Sequence, residues 1–189
     1  MRVWLILAMA ASASGATLPL GVPGPPSKPH PAVLALRGYA ARVETNLGSF
    51  SLRFFPDAAP NAVRCFVKAA VRGLYDGLPL TEVLKAKAVV FGDGSKGERI
   101  EAEKSPLSPS AGSVAFVRDS EGRNIVGQLR FILAEESEGG EETIFAEVSD
   151  GLAVVKRLGS VATRTKGERA VPVEEVLIEK VVVTRTTED

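Results

Sequence analysis

The sequence predicts a mainly-β fold, a closed antiparallel β-barrel capped by two α-helices. Short apolar-polar alternations recur from residue 41 onward, each bounded by Gly, Asn, Asp or Pro. Only two stretches carry the three-and-four spacing of an amphipathic helix. At 189 residues and 45% hydrophobic side chains, the chain can build one sizeable core and has little room for a second. Many short strands leave exposed edges unless the sheet closes on itself. Closure also buries the inward side chains, and the two helix faces then seal the barrel.

The chain opens with MRVWLILAMAASASGA, residues 1–16: one positive charge, an apolar run from Val3 to Ala11, and small residues suited to processing after Ala13 or Ala16. This pattern predicts a signal peptide and hence the secretory pathway, whether secreted, periplasmic or lumenal. The run is shorter than the about 20 residues needed to cross a bilayer, so no stable membrane anchor is expected. Residues 17–37 hold prolines at 19, 23, 25, 26, 29 and 31, too dense for a helix and too poor in N–H groups for a sheet. They read as an extended linker ahead of a domain at 38–187, with a proline-recognition ligand as the alternative use. His30 lies in this tract without a nearby histidine or cysteine, which argues against a metal site or general base.

The domain elements follow in order. In ARVETNLGSFSLRFF, residues 41–55, Val43, Phe50, Leu52 and Phe54 alternate with more polar neighbours on either side of TNLG, a hairpin pattern. From Pro60 the period changes: Val63, Phe66, Val67 and Ala70 share a helix face that ends near Gly73. Cys65 on this helix is expected to pack as a small hydrophobe, and as the only cysteine it has no disulfide partner within the chain. GLPLTEVLKAKAVVFGDG, residues 77–94, reads as strand, turn and strand entering a glycine-rich loop. GSVAFVRD, GQLRFILAE and ETIFAEV supply further strands, and SDGLAVVKRLG a short helix with Leu152, Val155 and Leu158 on one side. VEEVLIEKVVVTRT, residues 173–186, alternates imperfectly, as a closing strand with a bulge would.

Charge excludes some functions. The 23 basic and 23 acidic side chains balance, so no global field gathers nucleic acid. The polar connection at 101–112 and the acidic loop at 132–143 read as solvated surface, since carboxylates without ligand spacing do not make a calcium site. The Walker and Rossmann fingerprints are absent, and no metal or cofactor is expected.

Taken together, VETNLGSFSLRFFPDAAPNAVRCFVKAAVRGLYDG, GSVAF, RFIL, TIFAEVSDGLAVVKRL and PVEEVLIEKVVV resemble, in order, the cyclophilin-type peptidyl-prolyl cis-trans isomerases. The resemblance implies the barrel fold, a proline-containing peptide or protein segment as partner, a monomer, and an activity that assists protein folding. It also implies where the working groups stand. The family's Phe-His-Arg-Val motif, whose arginine polarises the prolyl amide, corresponds to Leu80, Thr81, Glu82 and Val83. Its Phe-Met-x-Gln-Gly-Gly segment supplies a pocket ring and a glutamine that holds the arginine. Lys87 stands near the phenylalanine place and Val90 near the glutamine place. In the Ser-Gln-Phe-Phe-Ile strand, anchoring on RFIL puts Leu129 at the glutamine and Phe131 at the pocket phenylalanine, and a one-residue shift restores Gln128. The family's tryptophan and histidine correspond to about Ser137 and Glu142. Phe131, Leu129 or Gln128, and Phe145 are thus the expected substrate-binding residues, with no intact catalytic residue.

Rotation about an Xaa-Pro bond needs no covalent step. Its barrier is amide resonance, lowered by favouring a twisted bond. A donor at the peptide helps only if it binds the twisted state better than either ground state. An ionised Glu82 accepts hydrogen bonds and cannot donate. Lys87 is a candidate substitute, but a flexible ammonium does not reproduce a fixed guanidinium fork. Two readings stay open: an active isomerase, or a binding module whose isomerase activity is weak or lost.

Overall fold

The computed structural model describes residues 36–135 and 142–185, so the expected leader and most of the proline-rich linker lie outside the described residues. The first hairpin is β1 (Tyr39–Thr45) and β2 (Gly48–Phe54), and it leads through PDAA to α1 (Pro60–Val71). Pro60 opens the helix where a missing N–H costs nothing, and Ala62, Val63, Cys65, Phe66, Ala69 and Ala70 form its buried face. The chain continues through β3 (Leu78–Leu84), β4 (Ala88–Phe91), β5 (Arg99–Ile100), β6 (Ser113–Arg118), β7 (Asn124–Ile132) and β8 (Ile144–Asp150). It ends with α2 (Leu152–Leu158), β9 (Thr163–Lys166), β10 (Arg169–Pro172) and β11 (Leu177–Arg185).

The strands close in the order β4-β3-β11-β1-β2-β8-β6-β7, and β7 pairs back onto β4. Every pairing is antiparallel. This is the expected closed antiparallel barrel with two helices, and it has eight strands. Closure leaves the barrel strands no free edge, and β5 extends only the first residues of β7. The expected bulge in the last strand is present: Glu44 faces Lys180 while Thr45 faces Ile178, so Glu179 is the extra residue.

One apolar cluster fills the interior. Phe66 from α1 stacks on Tyr75 at 4.9 Å and meets Phe145 at 5.3 Å, while Phe131 presents its face or edge to Phe50 and Phe91 at 5.3 and 5.8 Å. Gly151, at φ 81°, starts α2 where a Cβ would come 2.8 Å from Phe50 Cβ, so only glycine lets this helix lie against the barrel wall.

Three features depart from expectation. β7 begins at Asn124 rather than Gly127. Phe116 faces Leu129 while Val117 faces Ile125, which leaves Val126, Gly127 and Gln128 looped out of the β6 pairing. β9 and β10 form a separate two-stranded sheet that apolar alternation does not announce, because TRTKGERAVP is mostly exposed.

Candidate functional site

Alternation along paired strands sorts the barrel wall into two faces. Val83, Val89, Phe131 and Val114 lie in the interior cluster. Their neighbours point outward and form a lateral row across four strands: Glu82 opposite Val90, Val90 opposite Arg130, and Arg130 opposite Ala115. Ala88 opposite Ile132 forms the next row.

The expected binding residues take these places in the structure. Leu129 and Phe131 are both 0% exposed and lie in the barrel interior. Phe145 is equally buried, stacked on Phe116 at 4.5 Å beneath α1. Gln128 belongs to the looped-out stretch, where its Oε1 would be 3.1 Å from a Cβ at Gly94. A one-residue slip in a strand exchanges faces for every side chain. The outward residues beside Val90 and Ala88 are therefore Arg130 and Ile132. The sequence carried the signal, because charged Arg130 between Leu129 and Phe131 is the alternation of a half-buried strand.

Glu82 is half-buried on the outer face, as its place on β3 requires. Lys87 is exposed in the turn between β3 and β4, where its N–H donates to Leu84 O at 2.8 Å and its carbonyl accepts from Leu133 N at 2.6 Å. Its ammonium makes no ion pair among the described residues. Arg130 Nη1 lies 3.1 Å from Glu142 Oε1, an ion pair that fixes a guanidinium on the outer face. Ser137 lies outside the described residues.

Beside this charged row the apolar surface is closed. Ala115, Ile132 and Ile144 are at most 1% exposed and form a small cluster beneath Phe55 and Leu107. Leu107 is delivered by the 101–112 connection, which is pinned at both ends. At one end Glu103 accepts from Asn61 N at 3.0 Å and Ala62 N at 2.8 Å, and its carbonyl accepts from Thr143 Oγ1 at 2.8 Å. At the other, Gly112 N donates to Ile132 O at 2.8 Å. Among the described residues no group of three or more His, Cys, Asp and Glu side chains is placed to hold a metal, and no helix is long and apolar enough to cross a membrane.

Residues 40–183 match the family model of the cyclophilin type peptidyl-prolyl cis-trans isomerase/CLD. The chain belongs to the cyclophilin family. This cyclophilin is 32% identical over 154 residues to peptidyl-prolyl cis-trans isomerase-like 1 of Neurospora crassa, a match covering 76% of this chain and 93% of the relative. It is 28% identical over 157 residues to peptidyl-prolyl cis-trans isomerase B of Escherichia coli, covering 74% and 96% of the two chains. In fold it resembles the crystal structure of a Cryptosporidium parvum cyclophilin type peptidyl-prolyl cis-trans isomerase with the dipeptide Ala-Pro present. That likeness has a TM-score of 0.69 at 21% identity and covers 78% of this chain and 99% of the other. Within the cyclophilin frame, then, a carboxylate stands on the outer face of β3, an apolar Val90 faces it, and the one guanidinium of the row comes from β7.

Proposed function

We propose that this cyclophilin is a binding module for extended proline-containing segments, in which prolyl isomerisation is weak or lost. The observation that carries the proposal is Glu82 on the outer face with Val90 as its cross-strand neighbour. A carboxylate there repels a peptide carbonyl instead of donating to it, and valine offers no amide to hold a donor. The loss of one aligned donor costs about 100 to 1,000-fold in rate. The leader at residues 1–16 supports a site of action in the secretory pathway, whether secreted, periplasmic or lumenal.

The test is cis/trans exchange of Xaa-Pro peptides followed by NMR with the full chain and its Glu82→Arg variant. Peptide shift changes without faster exchange are the expected result for the natural protein. Clear catalysis by the natural protein would instead support the second reading, an active isomerase, which one observation favours: Arg130 places a guanidinium on the same face. In that event an Arg130→Gln variant loses the catalysis.

A further inference from the structure

Between β3 and the β9–β10 hairpin lies a cleft of about 490 Å³, separate from the row of Glu82, Val90 and Arg130. Its floor is apolar, with Leu80 at 5% and Val176 at 4% exposure. One wall is the hairpin. Lys166 pairs with Arg169 and Arg164 with Val171, and residues directly opposite in a ladder share a face. Arg164, Lys166, Arg169 and Val171 thus project on one side, and all four line the cleft; of the other side Thr165 and Ala170 do not, while Pro172 at the hairpin's end does. None of the three cations makes an ion pair among the described residues. Like charges directly opposite destabilise a hairpin, so the Lys166–Arg169 pair carries an electrostatic cost that no ion pair among the described residues relieves.

The remaining charged groups of the cleft are Asp93, Glu174 and Glu175. Asp93 Oδ1 already accepts from Ser95 N at 2.9 Å and Ser95 Oγ at 2.6 Å. Glu174 and Glu175 follow the hairpin and are exposed to solvent. The cleft therefore has a cationic hairpin wall, an apolar floor and acidic groups beyond ion-pair reach of the cations.

We infer that this cleft binds an extended acidic peptide segment, with carboxylates directed to Arg164, Lys166 and Arg169 and apolar or prolyl side chains set on Leu80 and Val176. An extended chain sends successive side chains to opposite sides, which matches a charged wall beside an apolar floor better than a compact anion does. Proline in such a segment holds it extended in advance. The inference rests on the binding-module reading and gives that module a site and a partner chemistry.

The experiment is an amide-shift titration of the full chain with Glu-Pro, Lys-Pro and Ser-Pro repeat peptides and with inorganic phosphate. The Glu-Pro peptide is expected to shift residues of β3, β9 and β10 and to bind more weakly as salt rises. Arg169→Glu, tested alone and with Arg164→Glu, should weaken binding about tenfold. The same Arg169→Glu change turns a like-charge pair with Lys166 into an attractive one, so thermal stability should hold or rise while affinity falls, which separates lost binding from lost folding. Equal binding of Lys-Pro or Ser-Pro, or equal shifts from phosphate alone, overturns the inference. Glu-Pro shifts confined to Val90, Arg130 and Ile132 overturn the cleft and leave the binding module standing. Silence toward every peptide removes both.

Discussion

Tyr75 shows how much one side chain can hold. Its ring is fully buried against Phe66, and its hydroxyl donates to Val126 O at 3.0 Å, tying the end of α1 to the looped-out stretch of β7. Burial pushes the hydroxyl well above the ordinary tyrosine value of 10.0, and the charges of Cys65 and Glu98 add to the rise. The folded state therefore keeps a proton that the unfolded chain gives up in alkali. The stability from this group is complete below pH 10 and declines as pH climbs above it. Tyr75→Phe should cost about 1 kcal/mol near neutral pH, since Val126 O loses its donor, and should flatten the alkaline fall. Urea melts over roughly pH 8 to 11 measure both effects. Ala86 is a second residue-scale case: at φ 60° it occupies the left-handed region in the turn before β4. Ala86→Gly should relieve about 0.5 to 1 kcal/mol of strain and raise the melting temperature. At this scale the sequence placed Glu82 on a strand after the turn at YDG, and it lies on β3 opposite Val90. At Phe131 the ring-to-ring match did not show that the side chain faces the barrel interior, because it ignored which face each ring takes.

The 101–112 connection is the element whose role the sequence hid. No side chain at Ala59 caps α1, and the first-turn N–H groups of Asn61 and Ala62 are met instead by Glu103, 42 and 41 residues further on. A carboxylate also complements the positive end of the helix. Glu103→Ala should cost about 1 to 2 kcal/mol, a drop of roughly 2 to 8 °C in a thermal melt. The same variant loosens the segment that carries Leu107 over Ile132, so the amides of Ala115, Ile132 and Ile144 should exchange with solvent faster. Unchanged exchange there would mean that Leu107 holds its place without the Glu103 anchor. Local pattern found the two helices and the barrel strands because each buries one face at a fixed period. It could not find a cap supplied from 42 residues away, nor β9 and β10, whose exposed residues pair with each other instead of burying a face.

At the scale of the whole molecule, the first and last barrel strands lie side by side: β11 pairs with β1 over most of its length and with β3 at Leu177 and Ile178. The barrel therefore closes only when the end of the domain is present, whereas β9 and β10 form a sheet of their own. These two parts should respond oppositely to deletion. A chain ending before Leu177 loses Ile178 and Val181 from the core and bares the edges of β1 and β3, so it should show no cooperative melt and should aggregate. Replacing residues 164–169 with a short turn removes no side chain of the interior cluster, and the barrel should keep its cooperative transition. Hydrogen exchange checks this ordering in the intact protein. The amides paired in β1, β2 and β11 should open only with global unfolding, and those of β9 and β10 well before it. If β9 and β10 exchanged at the global rate, the hairpin would be a structural member of the barrel, and its cationic face would be fixed by folding instead of being available to a ligand.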